Sequence, residues 1–448
     1  MLQALRSFYF SLHLRNRFFW GIGCLAAFFV TAFFVPLLLD AARIAFGVFV
    51  ILFSLDLAMV FGKKEGLEGH RKTPERFSNG DPNPIQLQFR NFYNFSLQLQ
   101  VIDELPFQFQ KRDLKFALSL KPGEQKQLKY ELRPTERGEY HFGQLNAFVS
   151  GPIGLVMRRY RFSMDAMVPT YPSYLQMKQY QLMAVSNRLK DLGVKKVRKL
   201  GHTTEFEQIK EYVRGDDYRT INWKATARSG KLMVNQYADE KSQDVYCLID
   251  KSRAMKMPFE GLSLLDHAIN ASLVIANVAI QKQDRAGLIT FAEKISTTVP
   301  ASSRNLQMSY IQEALYNQRT RFLEADYARL YAQVRSTVNH RSLLVLFTNF
   351  ESLTALRRQL PSLQKLANNH LLLVVFFENT ELKTLLDASP RDTEEIYIKT
   401  IGENFAFEKK QIVRELEQHG ILAILTPPQQ LTVNTLNKYL EIKSRGMI

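Results

Sequence analysis

Cysteine is nearly absent: Cys24 and Cys247 are the full complement of 448 residues. The first lies in a lipid-like apolar run and the second in a run that reads as a buried strand. They read as unpaired, which excludes a disulfide scaffold and fits a reducing compartment. Proline and glycine are sparse as well, at 16 and 21 residues, so the chain is neither fibrous nor low-complexity. Enzyme signatures are missing. There is no Gly-x-x-x-x-Gly-Lys-Ser/Thr loop, no Gly-x-Gly-x-x-Gly after a strand, no Gly-x-Ser-x-Gly elbow and no His-Glu-x-x-His. The familiar phosphate-loop, dinucleotide, α/β-hydrolase and zinc-peptidase chemistries therefore have no foothold. The eight histidines are scattered, with no two at metal-sharing spacing.

What is present begins with lipid-like sequence. Residues 18–39 carry no charged side chain, and at ~1.5 Å per residue such a run spans roughly the 30 Å of a bilayer's hydrocarbon. After a break carrying Asp40 and Arg43, residues 44–61 form a second run, blemished only by Asp56. A charge there costs a few kcal/mol in lipid unless it faces a partner helix or reaches the interface. Two adjacent spans read as a helical hairpin, not as a cleaved signal. Arg6, Arg15 and Arg17 precede the hairpin, and Lys63, Lys64, Arg71 and Lys72 follow it. The turn has Arg43 alone, so the positive-inside rule places everything after residue 62 in the cytoplasm. A net charge of +16 favours an anionic neighbour, and the inner membrane face is the nearest one.

From residue 82 to 175 the hydrophobic period changes to two, as in Leu97-Gln98-Leu99-Gln100-Val101. Turn signals recur at Lys121-Pro122-Gly123, Arg137-Gly138 and Ser150-Gly151-Pro152. Short alternating runs so punctuated predict an all-β, antiparallel sandwich. Residues 188–202 are basic, with Lys190, Lys195, Lys196, Arg198 and Lys199. They read as a solvated linker, and the lack of interleaved aromatics argues against nucleic acid as a partner.

Residues 204–240 are the most distinctive. Phe206, Ile209 and Val213 share one face of a predicted helix beginning near Thr204, with Gly215 ending it. Asp216 or Asp217 is placed to cap the next helix, with Arg214, Arg219 and Arg228 as bidentate partners. Adjacent carboxylates among arginines would both stay ionised, which suits a structural network better than acid–base catalysis.

The run Glu205-Phe206-Glu207, Tyr212-Val213-Arg214-Gly215-Asp216-Asp217-Tyr218-Arg219 and Ile221-Asn222-Trp223-Lys224-Ala225-Thr226-Ala227-Arg228 resembles the signature of the domain of unknown function 58 family. The similarity extends from near Gly138 to about Arg285, and the two-helix anchor matches the family layout. The resemblance implies a von Willebrand factor A-like domain after the signature and a link to AAA+ ATPases of the MoxR type. The signature residues it singles out are Glu205, Phe206, Arg214, Gly215, Asp216, Asp217, Arg219, Asn222, Trp223, Lys224 and Arg228.

From residue 243 on, continuous apolar runs at 245–249, 286–291, 343–347, 371–377 and 421–425 alternate with amphipathic helices such as 262–282 and 408–419. Such alternation predicts a Rossmann-like α/β domain with a mostly parallel sheet. Asp250 and Asn349 fall at strand ends, where ligands bind in such folds. The von Willebrand fold often carries a divalent cation there on Asp-x-Ser-x-Ser. This chain reads Asp250-Lys251-Ser252-Arg253-Ala254, with Asn349 in the place of an aspartate and Thr320 as a weak loop candidate. Mg²⁺ wants several oxygen ligands, one or two of them charged. The expectation is a degenerate site, with Asp250, Ser252 and Asn349 as candidate ligands, Mg²⁺ as candidate ion and a metal-free surface preferred.

The expected organisation is a transmembrane hairpin at 1–62, a β-sandwich at 63–175, a basic linker and signature segment at 176–242 and an α/β domain at 243–448. The expected function is a non-catalytic interaction or scaffold module of a bacterial inner-membrane complex, contacting the lipid bilayer and an AAA+ ATPase. The alternatives are a metal-dependent adhesion-type binding protein, or a hydrolase using Asp216 and Asp217.

Overall fold

In the computed structural model, Pro36 decides where the apolar N-terminal stretch turns. Helix α2 (Asn16–Phe34) ends just before it, and α3 (Leu39–Phe61) begins after a single 3-10 turn. Proline lacks an amide donor and pushes its predecessor out of helical conformation, and Val35 is extended. The break thus precedes the expected one, and Asp40 and Arg43 lie inside α3, paired at 3.1 Å. Both helices are long and apolar enough to cross a membrane. The less apolar α6 (Leu264–Gln281) also has the length of a span, but it is 83% buried inside the protein. The structure describes residues 2–111, 114–162, 165–185, 205–238, 242–259, 261–304, 306–320, 322–379, 382, 386 and 392–447. The basic stretch 188–202 lies outside them. The chain forms two compact units, Met1–Tyr171 and Pro172–Ile448.

The first unit opens with α1 (Leu2–Ser11) and the short β1 (Leu12–Leu14), then carries α2, α3 and ten further strands. These are β2 (Leu67–Lys72), β3 (Phe77–Ser78), β4 (Asn83–Asn91), β5 (Leu97–Asp103), β6 (Lys115–Leu120), β7 (Gln125–Leu132), β8 (Gly138–Phe142), β9 (Leu145–Ser150), β10 (Val156–Phe162) and β11 (Ala166–Tyr171). They form sheets ordered β1-β10-β9-β5-β6, β2-β4-β7 and β3-β11-β8. Pairing is antiparallel except for β3 with β11. The alternation read from the sequence is the burial pattern: Leu97, Leu99 and Val101 are buried, as are Ile85, Leu87 and Phe89 from β4, in one core. The strands start at Leu67, inside the expected 63–175 but ahead of the alternation legible from residue 82, because β2 (Leu-Glu-Gly-His-Arg-Lys) is too polar to announce itself.

Asp56 is fully buried, and its purpose is visible. The backbone N–H groups of Leu155 and Val156 donate to its Oδ2 at 2.7 and 2.8 Å. Gly151 leaves the room, since a Cβ there would stand 3.0 Å from Asp56 Oδ1. One turn further on, Arg158 donates to the Val60 carbonyl, one of the acceptors that a helix end leaves unpaired, and to the Lys63 and Lys64 carbonyls just beyond the helix. The anchor is thus bonded into β10. Arg71, counted above as a flanking charge, is instead inside the sandwich core. Its guanidinium donates to Asp103 at 2.5 Å and to the Gly143 carbonyl at 2.9 Å.

The second unit begins with α4 (Tyr174–Val185), followed by a ribbon of β12 (Glu205–Glu211) and β13 (Met233–Ala238) bridged by α5 (Trp223–Ser229). Then come β14 (Asp244–Asp250), the two-residue strands β15 (Pro258–Phe259) and β16 (Leu262–Ser263), α6, β17 (Arg285–Phe291), β18 (Ile295–Ser302), α7 (Gln307–Tyr316), α8 (Tyr327–Thr337), β19 (Leu343–Phe347), α9 (Leu353–Asn369), β20 (Leu371–Phe377), helix Thr393–Gln418, β21 (Leu422–Thr426) and helix Leu431–Ser444. The six-stranded sheet runs β18-β17-β14-β19-β20-β21 and is parallel apart from its edge strand β18. Strand alternation divides the core in two. Val245, Cys247 and Ile249 pack with α6, α7 and helix Leu431–Ser444; Tyr246 and Leu248 pack with α8, α9 and helix Thr393–Gln418. A Ser263–Asp266 capping box starts α6. At the opposite edge Asp284 accepts from Tyr439 Oη at 2.5 Å, Lys443 Nζ at 2.7 Å and Gln243 N at 3.1 Å, tying the last helix to the sheet.

Candidate functional site

Parallel strands bring their carboxyl ends to one edge, and β14 and β19 deliver Asp250 and the Thr348-Asn349 pair there. Asp250 is 1% exposed. Its Oδ1 accepts the Ser252 N–H at 2.7 Å, and its Oδ2 accepts the Thr348 hydroxyl at 2.7 Å and the Tyr327 hydroxyl at 3.4 Å. Tyr327 and Thr348 also bond each other at 2.7 Å. Burial pushes the Asp250 carboxyl up, opposed by these donors, and burial with the nearby carboxylate pushes the Tyr327 phenol up.

Asn349 is held differently. Its amide donates weakly to the Ala254 carbonyl at 3.4 Å, and its Oδ1 accepts the Lys409 ammonium at 2.7 Å. Lys409 comes from helix Thr393–Gln418 and also donates to the Phe350 carbonyl at 2.5 Å. Burial pushes this ammonium down to about 8, with Glu351 pulling the other way. The edge therefore carries a cation of its own. Sequence reading missed Lys409, although it lies three and seven residues before the buried Ile412 and Leu416 and so shares their helix face. It missed Tyr327 too.

These residues do not fit a hard dication. Both oxygens of the buried carboxylate already receive protein donors, the candidate amide oxygen receives an ammonium, and residue 254 is an alanine without an oxygen to offer. Thr320 is not among the cleft-lining residues. Among the described residues no three His, Cys, Asp or Glu side chains are grouped to hold a metal ion. The space directly beside Asp250 measures about 80 Å³, and across shared walls at Glu324, Ala325, Arg358 and Gln359 it adjoins an open depression of about 550 Å³. Its rim carries long, exposed pairs, Arg253–Glu351 at 3.7 Å and Arg358–Glu324 at 3.8 Å. Exposed pairs of this kind cost little to open.

The signature segment is a ribbon where a helix was expected. Glu205 and Phe206 belong to β12, which pairs with β13 through a bulge between Phe206 and Gln208. One inserted residue makes a spacing of three equivalent to a spacing of two. That is why positions 206 and 209 mimicked a helical face. Gly215, at φ +119°, serves a turn after the strand. Asp216 clasps that turn: it accepts the Val213 N–H and the Lys210 ammonium, each at 3.0 Å, and these hold its carboxyl below the usual range. Asp217 caps the 3-10 turn Tyr218–Thr220 through the Arg219 N–H at 2.9 Å. Asn222, not an aspartate, caps α5 through the Ala225 N–H at 3.0 Å and also bonds Asn235 at 2.8 Å. The expected arginine partners do not engage. Among the described residues Arg214, Arg219, Lys224 and Arg228 form no ion pair, and Trp223 is 70% exposed. No hydrogen bond joins this ribbon to the Asp250 cleft among the described residues.

Residues 208–396 match the model of the family described as "Protein of unknown function DUF58". The match begins and ends later than the stretch expected from the sequence. The protein YeaD of Bacillus subtilis (strain 168), itself described as uncharacterized, is 28% identical over 126 residues, 28% of this chain and 31% of that protein. The chain thus spans about a third of the length of the curated relative it matches. Among solved structures, BatB from Bacteroides thetaiotaomicron is 12% identical with a TM-score of 0.28, covering 45% of this chain and 98% of that one. The CARDB domain of the Pyrococcus furiosus protein PF1109, solved with di-metal ions, is 19% identical with a TM-score of 0.18, covering 23% and 86%. At such scores neither likeness establishes a fold.

Proposed function

We propose that this chain is a membrane-anchored, non-catalytic interaction module. Two spans hold it in a bacterial inner membrane with its folded domains on the cytoplasmic side. Its second unit is a von Willebrand factor A-like domain without a working cation site, and it engages protein partners, among them an AAA+ ATPase of the MoxR type.

The observation that carries this reading is the state of the carboxyl edge. Its buried carboxylate is committed to Ser252, Thr348 and Tyr327, which leaves no free carboxylate oxygen there for acid–base work. The surface left around it is a set of exposed charges of both signs, the make-up of a polar interface rim. The signature carboxylates are spent on their own turns, which leaves no pair poised for acid–base work.

The test places a photo-crosslinking residue at Glu351 on the rim of the full-length chain in cells. The expected product is an adduct with an AAA+ ATPase subunit, weakened when Arg358 is changed to Glu. Absence of any protein adduct, or steady substrate turnover by the purified chain alone, overturns the reading.

A further inference from the structure

The ribbon of residues 205–238 has almost no core of its own. Among its described side chains only Val234 is fully buried, while Ile209, Val213, Tyr218, Trp223 and Leu232 are 39%, 63%, 69%, 70% and 46% exposed. Its strands, 3-10 turn and short helix pack chiefly against one another. A two-stranded ribbon so bare is marginal in water, and five large apolar side chains on so small an element call for a cover.

The charges indicate which cover. Lys210 is spent on Asp216 and Lys231 on Glu211. Arg214, Lys224 and Arg228 are exposed and, among the described residues, unpaired; the Arg219 guanidinium lies 5.7 Å from the Tyr218 ring centre. The sequence just before the ribbon adds Arg188, Lys190, Lys195, Lys196, Arg198 and Lys199 with no acid other than Asp191. Trp and Tyr beside unpaired Arg and Lys, next to a basic run, is the chemistry that settles at an anionic lipid surface. Two apolar spans in the same chain keep such a surface permanently at high effective concentration.

We propose that this ribbon is a second, peripheral membrane contact that lays Trp223 and Tyr218 among anionic lipid headgroups. The inference rests on the membrane anchoring proposed above. The chain has two tryptophans, Trp20 on α2 and Trp223, so the two ideas can be tested separately.

Full-length Trp20→Phe, which reports Trp223, and full-length Trp223→Phe, which reports Trp20, are placed in nanodiscs of phosphatidylcholine with or without phosphatidylglycerol, using brominated acyl chains as quenchers. The expected result is Trp20 quenched in both lipids, and Trp223 blue-shifted and quenched only with phosphatidylglycerol, reverting at high salt. Changing Arg214, Lys224 and Arg228 together to Gln weakens the Trp223 contact by about 10²-fold, or roughly fivefold per charge. Trp223 remaining water-exposed while Trp20 is quenched overturns the inference and leaves the anchor standing. Trp20 unquenched overturns both. A Trp223 blue shift without bromolipid quenching, rising with protein concentration, assigns the patch to a second copy and also overturns it.

Discussion

Replacing Asp56 by alanine strips the Leu155 and Val156 amides of a carboxylate acceptor that reaches them from 99 and 100 residues away. The bonds are short, the groups are buried, and no solvent can substitute. Hydrogen bonds to a charged acceptor contribute about 1.5–3 kcal/mol each, and orphaned buried donors cost more still. The summed cost in Asp56→Ala is about 3–5 kcal/mol, in line with breaking a buried charged contact. Asp56→Asn keeps one acceptor oxygen and costs about 1–2 kcal/mol. Hydrogen exchange read by mass spectrometry on the full chain in nanodiscs reports the two amides directly. At about 1.4 kcal/mol per factor of ten, a loss of about 3 kcal/mol accelerates their exchange on the order of 10²-fold if they open locally. The alternative use of a charge in an apolar helix is an ion or proton path. Under that use, exchange at Leu155 and Val156 is unchanged in Asp56→Ala, and the clamp reasoning fails.

Lys409 holds its proton less tightly in the fold than in the unfolded chain, so the unfolded state binds the extra proton between about pH 8 and the lysine value of 10.5. Stability therefore rises with pH across that window, by up to about 3 kcal/mol. Lys409→Met removes that rise, and denaturation midpoints of both chains at pH 7.5 and above should converge or cross; parallel curves refute it. Asp284→Ala unhooks Tyr439 and Lys443 from the sheet and lowers stability by about 3 kcal/mol, read as a lower urea midpoint. Asp216→Ala releases the Val213 turn, so limited proteolysis near Gly215 speeds up while spectroscopic signals from the α/β core stay unchanged. An unchanged cleavage rate there argues against a structural role for this aspartate.

The parallel strands were legible because burial on both faces forces continuous apolar runs, as at Leu343–Phe347 and Leu371–Phe377. Strand β18 escaped notice because Ile295–Ser302 is an edge, rich in Ser and Thr and mostly half-buried. The ribbon at Glu205–Glu211 carries a helix-like spacing because its bulge shifts the period locally. Asp250 and Asn349 were placed correctly at the sheet edge from the ends of apolar runs. Their partners Tyr327 and Lys409, at sequence separations of 77 and 60 residues, were beyond any local pattern. Asp56 read as a blemish for the same reason: the amides that justify it come from β10.

The point on which the functional reading turns is that the carboxyl-edge cleft works without a bound dication, because protein donors already occupy its oxygens. Calorimetric titration of Mg²⁺ and Mn²⁺ into the full chain tests it. The expected result is no saturable binding up to about millimolar concentration, the weak end of protein cation sites. A stoichiometric micromolar site that disappears in Asp250→Asn contradicts it.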